Sequence, residues 1–558
     1  MGIVNSVSRR GASLLLVAQF VAGTGQWTQI GVDIDGENPW DFAGGTQGAL
    51  AMNGPGTTLA VGASGHDGAG ADAGHVRVFD LSFDGAWKQR GLDIQGEHAG
   101  DESGSSIVLS VDGSVLGVGE PNSAAGHTGR FNKNFGQVRV FEWRDGSWLQ
   151  RGGAIVGVDK YDYASAAGGL AMDASGETVV VGAAEHGPAL PNGRPDPARR
   201  KEGHVRVFDW DGNEWVQRGD DMDGEGAGDF FGVSVAVNAA GNTVAVGALF
   251  NDGDDEAGPF GCVVCRGSVR IFDWHESDNA WLQRGSDIDG EEDHDFSGSS
   301  VTMNAEGNVV AIGSPRTNAP KGERKRGSVA VYEWNGSAWQ KRGTRIEGEA
   351  NGDISGSALA MSSEGNTVAI GAQLNGGGSD LEGHVRVFDW DDEIWRQRGL
   401  DIDGENKFDY SGYSLAMSGD GDKLASGARF TDDAGYYAGH ARVFQWTQPP
   451  ATDPPITDPP TTPPTDPPTT PPSTDRCDDS RFEESQDDKR HKGEIQKFSK
   501  SKVKNIEACN DKCTNTPGCL GIMWNPLRPK KSCTTLKGPL TKSCGKGKKS
   551  KVVCCTLK

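Results

Sequence analysis

The sequence predicts a mainly β protein built around a seven-bladed β-propeller of four-stranded blades. Three observations lead there. A tryptophan-led phrase recurs seven times at near-constant spacing, short runs of alternating β-branched residues follow each copy, and Gly, Asn and Asp punctuate those runs. Behind the repeats lie a proline-rich stretch and a short cysteine-dense tail.

Trp27, Trp87, Trp148, Trp215, Trp281, Trp339 and Trp395 open the phrase, typified by WVQRGDDMDGE from Trp215 to Glu225, with spacings of 56 to 67 residues. A short strand such as Val233–Asn238 follows, then a glycine turn and Thr243–Ala248. After a variable loop comes Gly267–Phe272, and a polar turn returns the chain to the next Trp. One four-stranded meander cannot bury both faces, whereas seven arranged radially can, leaving few open edges. The phase of the repeat also predicts how the ring closes. The last Gly439–Phe444 strand runs on to Pro449 with no Trp strand of its own, so the orphan copy Trp27–Asp33 is expected to supply it.

Composition agrees. Of 558 residues, 82 are glycine without a strict three-residue period, which excludes collagen, and the net charge is −23. That acidity argues against non-specific nucleic-acid binding. No apolar stretch reaches the roughly 20 residues of a membrane-spanning helix.

The motif SVAVNAAGNTVAVGA, followed by a loop and GSVRIF, resembles the FG-GAP repeat of integrin α-subunit propellers and of many secreted microbial proteins. The resemblance covers residues 26–446 and implies the propeller fold together with an adhesive, binding or enzyme-accessory role. Family-type calcium loops are not matched. The turns between the first two strands, such as Asn238–Asn242 and Ser362–Asn366, are short, and only Asp420-Gly421-Asp422 keeps two close carboxylates. Calcium takes six to eight oxygens. No cofactor is therefore expected, with calcium left as a candidate lacking a complete ligand loop.

The acidic stretch between blades reads Asp33-Ile34-Asp35-Gly36-Glu37 and recurs at Asp287 and Asp401. A later Asp recurs in all seven units, as Asp41, Asp101, Asp162, Asp229, Asp295, Asp353 and Asp409. Placed before the inner strands, these seven are expected at one mouth of the channel. They are either weak metal candidates or acceptors for their own turn's amides, and their presence in every blade favours the second role. The variable loops between strands two and three share that face and are the expected place for recognition. Cys262 and Cys265 read as a local disulfide rather than a redox pair, since no helix follows. His75, His204, His384 and His440 sit in the repeated G-H-[VA]-R strand and read as structure; the other histidines are scattered. No nucleophile elbow, zinc-protease, phosphate-loop or dinucleotide motif appears. Asn335-Gly336-Ser337 is a glycosylation sequon on a turn.

At the N-terminus, Arg9 and Arg10 precede an apolar run from Ala12 to Ala22 with small residues after it, the pattern of a signal peptide over 1–23. Residues 447–475 form a Pro/Thr-rich linker, with 12 Pro and 8 Thr from 449 onward, suited to extended polyproline II. Residues 476–558 hold eight of the ten cysteines and a net charge of +11, from 20 Lys+Arg and 9 Asp+Glu. Such density reads as a disulfide framework in an oxidising compartment. Ile506–Cys513 predicts a short helix, so the tail is expected to be a small disulfide-rich α+β domain.

The cysteine order here resembles the PAN/Apple domain. That resemblance implies bridges Cys509–Cys533 and Cys513–Cys519, with Cys477 joined to Cys554 or Cys555 and Cys544 to the other. It also implies a protein- or carbohydrate-binding module. Lys542, Lys546, Lys548, Lys549 and Lys551 form a basic patch suited to anionic polysaccharide. The expectation is a secreted, non-catalytic adhesion or binding protein recognising extracellular protein or anionic carbohydrate, with neither nucleic acid nor a membrane span. The alternative is an extracellular polysaccharide-active propeller enzyme with the tail as its targeting module.

Overall fold

The computed structural model describes residues 25–124, 134–166, 168–187, 201–252, 264–317, 326–376, 381–432 and 435–448, and the backbone of four strands between 496 and 555. The chain divides into two units, Met1–Ile456 and Thr457–Lys558. The boundary falls inside the proline-rich stretch.

The first unit is a seven-bladed propeller of antiparallel sheets. Blades 1 to 7 begin at Leu50–Met52, Ser106–Leu109, Leu170–Met172, Phe231–Val237, Ser300–Met303, Ala358–Met361 and Ser411–Met417. Blade 4 shows the pattern: Phe231–Val237, Thr243–Ala248, Ser268–His275 and Ala280–Gln283 pair in sequence order. A fifth, two-residue strand, Ile288–Asp289, pairs with the start of the third strand. It shares that strand's outer edge with Ala280–Gln283, so the outermost strand is one strand broken in two. The expected four-stranded blade is corrected to this extent, because part of the acidic stretch between blades belongs to the sheet.

Blade 7 closes as the repeat predicts. Gln26–Gln29 pairs with Phe444–Thr447, and Ile34–Asp35 with His440–Ala441.

Seven apolar clusters fill the seven seams, each drawing on two adjacent blades. Val180, Val205 and Val207 of blade 3, for example, pack against Phe231, Val244 and Val246 of blade 4. Close approach between blades needs glycine at one recurring place. A Cβ on Gly247 would lie 2.1 Å from the Gly298 carbonyl oxygen of the next blade.

The Trp phrase also ties blades together. The indole N–H of Trp215 donates to the Arg151 carbonyl at 2.9 Å, and Trp281 repeats this on Arg218 at 3.0 Å. The Arg151 guanidinium in turn lies over the Trp210 ring, 4.8 Å from its centroid. Across the channel, Gln47 of blade 1 donates to the Ser299 carbonyl beside blade 5 at 3.1 Å.

The second unit shows a four-stranded antiparallel sheet in the order Gln496–Lys502, Ser532–Lys537, Gly521–Asn525, Val553–Cys555. Trp524 stands opposite Cys533, and Met523 opposite Cys554. The expected helix, Cys477, Cys509, Cys513, Cys519 and Cys544, the lysine patch and the signal peptide lie outside the described residues. Among the described residues, no helix is long and apolar enough to cross a membrane.

Candidate functional site

The seven recurring aspartates come to rest inside their own turns. All are buried, between 1% and 4% exposed. Asp41 accepts the amides of Glu37 and Asn38, each at 2.9 Å. Asp162 accepts from Asp159, Asp229 from Gly226 and Asp353 from Ala350. In each turn one carboxylate oxygen accepts backbone amides, the second of the two roles the repeat offers for these residues. Burial pushes the Asp295 carboxyl up to about 6 and raises Asp229 as well.

The turns around these aspartates carry an unusual backbone. The residue before and the residue after each Asp both have positive φ. Before the Asp, three blades place Gly100, Gly228 and Gly352, the residue that tolerates this conformation. Four blades instead place Trp40 (φ 71°), Tyr161 (φ 71°), His294 (φ 68°) and Phe408 (φ 68°). Bulky side chains in left-handed backbone are strained, and such strain clusters at functional sites. Trp40, Tyr161 and Phe408 are also 49–51% exposed, so core packing does not account for them.

One of these positions grows into an aromatic platform. Trp40, in the turn that leads into blade 1, meets two residues of the loop between the second and third strands of blade 7. Its ring lies 5.2 Å from Tyr436 and 4.9 Å from Tyr437, edge to face, and the two tyrosines stack at 4.0 Å. Phe42, Phe430 and the Arg429 guanidinium support it from below. Tyr436 is 53% exposed. The sequence reading pointed to these loops but missed the platform. Its signal was the alternation of Gly with aromatics at one repeat position.

A second break in the repeat lies after the Asp. Six blades place Phe42, Tyr163, Phe230, Phe296, Ile354 and Tyr410 there, and blade 2 places Glu102. Glu102 lines a cavity of about 240 Å³ together with Thr46, Asn122, Tyr163 and Glu185. Burial holds this carboxyl above the ordinary carboxylate range, against an opposing hydrogen bond from Asn122.

The other sites fall as follows. His75, His204, His384 and His440 begin third strands and are fully buried. Cys265 is disulfide-bonded, while Cys262, its expected partner, lies outside the described residues. Asn335 is exposed on a turn, and its Oδ1 accepts the Ser337 and Ala338 amides.

No family model matches the sequence, and no curated protein matches it. Neither the FG-GAP nor the PAN/Apple resemblance is therefore met by a family match. Solved structures align with much of the chain at low identity. Hydrazine synthase of Kuenenia stuttgartiensis is 13% identical over 75% of this chain and 97% of that one, with a TM-score of 0.43. The periplasmic gluconolactonase PpgL of Pseudomonas aeruginosa is 15% identical over 64% and 85%, at 0.40. U3-55K is 12% identical over 75% and 98%, at 0.41. The propeller assignment stands on the strand pairing of this chain.

Proposed function

We propose that the chain is a secreted, non-catalytic binding protein whose propeller face recognises extracellular carbohydrate. The observation that carries this reading is the platform of Trp40, Tyr436 and Tyr437, half exposed and held partly in left-handed backbone. Flat aromatic surfaces edged with hydroxyls suit sugars, which offer apolar ring faces and polar rims. The basic tail adds a second, anionic-polysaccharide surface through Lys542, Lys546, Lys548, Lys549 and Lys551. Secretion rests on the leader-like run over 1–23, the cysteine density of the tail and the disulfide at Cys265.

Glu102 supports the polysaccharide-active alternative. A carboxyl kept above its ordinary range by burial is suited to donate a proton, and its cavity is roughly sized for one sugar ring.

A glycan array separates the readings, probed with the full chain, the double variant W40A/Y436A and a chain lacking 476–558. The binding reading expects ligands that the double variant no longer retains. Equal binding by the double variant removes the platform from the account. Release of reducing ends, abolished by E102Q, establishes the enzyme, and capture of extracellular protein alone replaces carbohydrate as the ligand.

A further inference from the structure

A set of metal-type ligands recurs at the outer edge of three blades, apart from the seven buried aspartates. It arises from strand register. His204 opens the third strand of blade 3 directly opposite Asp223 on the short outer strand Met222–Asp223. Residues two apart on a strand share a face, so Asp221 stands beside Asp223 on the His204 side. Ligand atoms of these three residues all lie within 4.8 Å of one another.

The His204 side chain is 1% exposed, and neither ring nitrogen has a hydrogen-bond partner. An imidazole so deeply buried without a partner is costly and calls for an explanation. Its Nδ1 lies 3.4 Å from Asp221 Oδ2. That is beyond a good hydrogen bond, yet it matches the edge of a tetrahedron with metal–ligand bonds of about 2.0–2.1 Å.

The neighbours hold these ligands in place. Gln217 donates its amide to Asp221 Oδ1 at 2.8 Å, which leaves Oδ2 facing the imidazole. Orientation of a ligand carboxylate by an outer hydrogen bond is a feature of built metal sites. On its other side, His204 stacks on His186 at 4.0 Å, with the ring planes 25° apart. Near-parallel rings cannot aim two lone pairs at one ion. His186, bonded to Asp162 at 2.9 Å, therefore buttresses the ring rather than joining the set.

The His–Asp pair recurs in blades 6 and 7, where Glu349 and Glu405 supply the second carboxylate within 4.8 Å. In blade 6, His384 faces Asp401 at 3.8 Å, and Gln397 bonds the other Asp401 oxygen at 2.6 Å. In blade 7, His440 faces Asp33 at 3.8 Å and Asp35 at 4.0 Å, with Gln29 on Asp33 at 2.5 Å. The remaining blades lack part of the set. Blade 1 has His75 and Asp93 but Gln95, blade 2 has Gln137, and blades 4 and 5 have Ser268 and Ser328.

We propose that His204, Asp221 and Asp223 bind a divalent first-row transition metal of the Zn2+ class, and that His384 with Asp401 and Glu349, and His440 with Asp33 and Glu405, form sister sites. One imidazole with carboxylates suits zinc better than calcium, which takes oxygen ligands. Partly exposed Asp221, at 38%, leaves a route for the ion. In blade 7 the metal would join the N-terminal strand to the C-terminal one.

The test is calorimetric titration of the EDTA-treated, dialysed full chain with ZnCl2. Gln and Ser occupy the histidine position in other blades, so H204Q and H384Q mimic residues the fold already accepts. Each is expected to lose one zinc equivalent, or at least tenfold in the affinity of one. D221N is expected to do the same, and it carries the test if H204Q fails to fold. H275Q, at a half-exposed histidine outside these sets, is expected to lose none. Unchanged binding in both H204Q and D221N overturns the proposal. So does an equal loss in H275Q, which would show that any histidine of the chain contributes.

Discussion

Trp27 donates its indole N–H to the carbonyl of Arg398 at 2.9 Å, across 371 residues of sequence. The Arg398 guanidinium lies over both Trp27 and Trp446. This contact is the same Trp–Arg tie that Trp148, Trp215, Trp281, Trp339 and Trp395 make on the preceding blade, whereas Trp87 donates to the Ile30 carbonyl. W27A should therefore cost about 2–4 kcal/mol, combining lost aromatic burial with an unpaired carbonyl. Urea titration of the full chain checks it, and a loss below about 1 kcal/mol would mean the ring closes without this tie.

Trp40 separates strain from binding. Three blades keep glycine at its position, so W40G relieves left-handed strain of about 1–2 kcal/mol while adding a backbone-entropy cost of about 0.5–1. The melting midpoint should stay within the equivalent of about 1 kcal/mol of the parent, while glycan binding falls. A large loss of stability would instead make Trp40 a packing residue.

Gly247 should tolerate no side chain. Its Cβ would meet the backbone carbonyl of Gly298 at 2.1 Å, whereas at Gly119 the nearest atom is the Ser106 hydroxyl at 2.2 Å. Backbone cannot swing aside and a serine hydroxyl can. G247A is expected to cost about 3 kcal/mol or more and G119A clearly less, read by denaturation midpoints. Equal costs would refute the distinction.

His75 makes the fold acid-sensitive. Burial, with help from His66 and Arg77, depresses its pKa to about 3 from 6.5. Below pH 6.5 the unfolded chain gains a proton that the folded ring refuses, so stability falls with pH until about 3. Near pH 4.5 the loss amounts to roughly 2–3 kcal/mol. H75Q, which mimics Gln137 of blade 2, should flatten that part of the stability–pH curve. An unchanged slope between pH 4.5 and 6.5 would exclude His75 as its source.

Much of this was legible in the sequence, for reasons that can be stated. Blade number and phase follow from Trp spacing, because each blade is one copy of one phrase. Closure by Trp27–Gln29 follows from counting strands. The Asp33–Asp35 stretch was less legible. Its polarity reads as a loop, yet Ile34 is buried and the two carboxylates flank a strand edge. The recurring aspartates were ambiguous because a buried hydrogen-bond acceptor and a metal ligand are the same residue type. Trp40 and Glu102 stand out only when all seven copies are aligned position by position. Their neighbours Tyr436 and Asn122 come from other segments, which no local pattern connects.

The closing pair has a consequence for how the protein is made. Gln26 and Thr447, whose hydroxyl bonds the Gln26 carbonyl, are 421 residues apart, so the strand that completes the ring leaves the ribosome first and its partner much later. At about 5–20 residues per second the interval is roughly 20–80 s. Throughout it, Gln26–Gln29 presents an unpaired edge, and blade 7 cannot exist. Newly made chains are thus open rings for most of their synthesis. Until Phe444–Thr447 emerges, that early edge is open to pairing with other nascent chains.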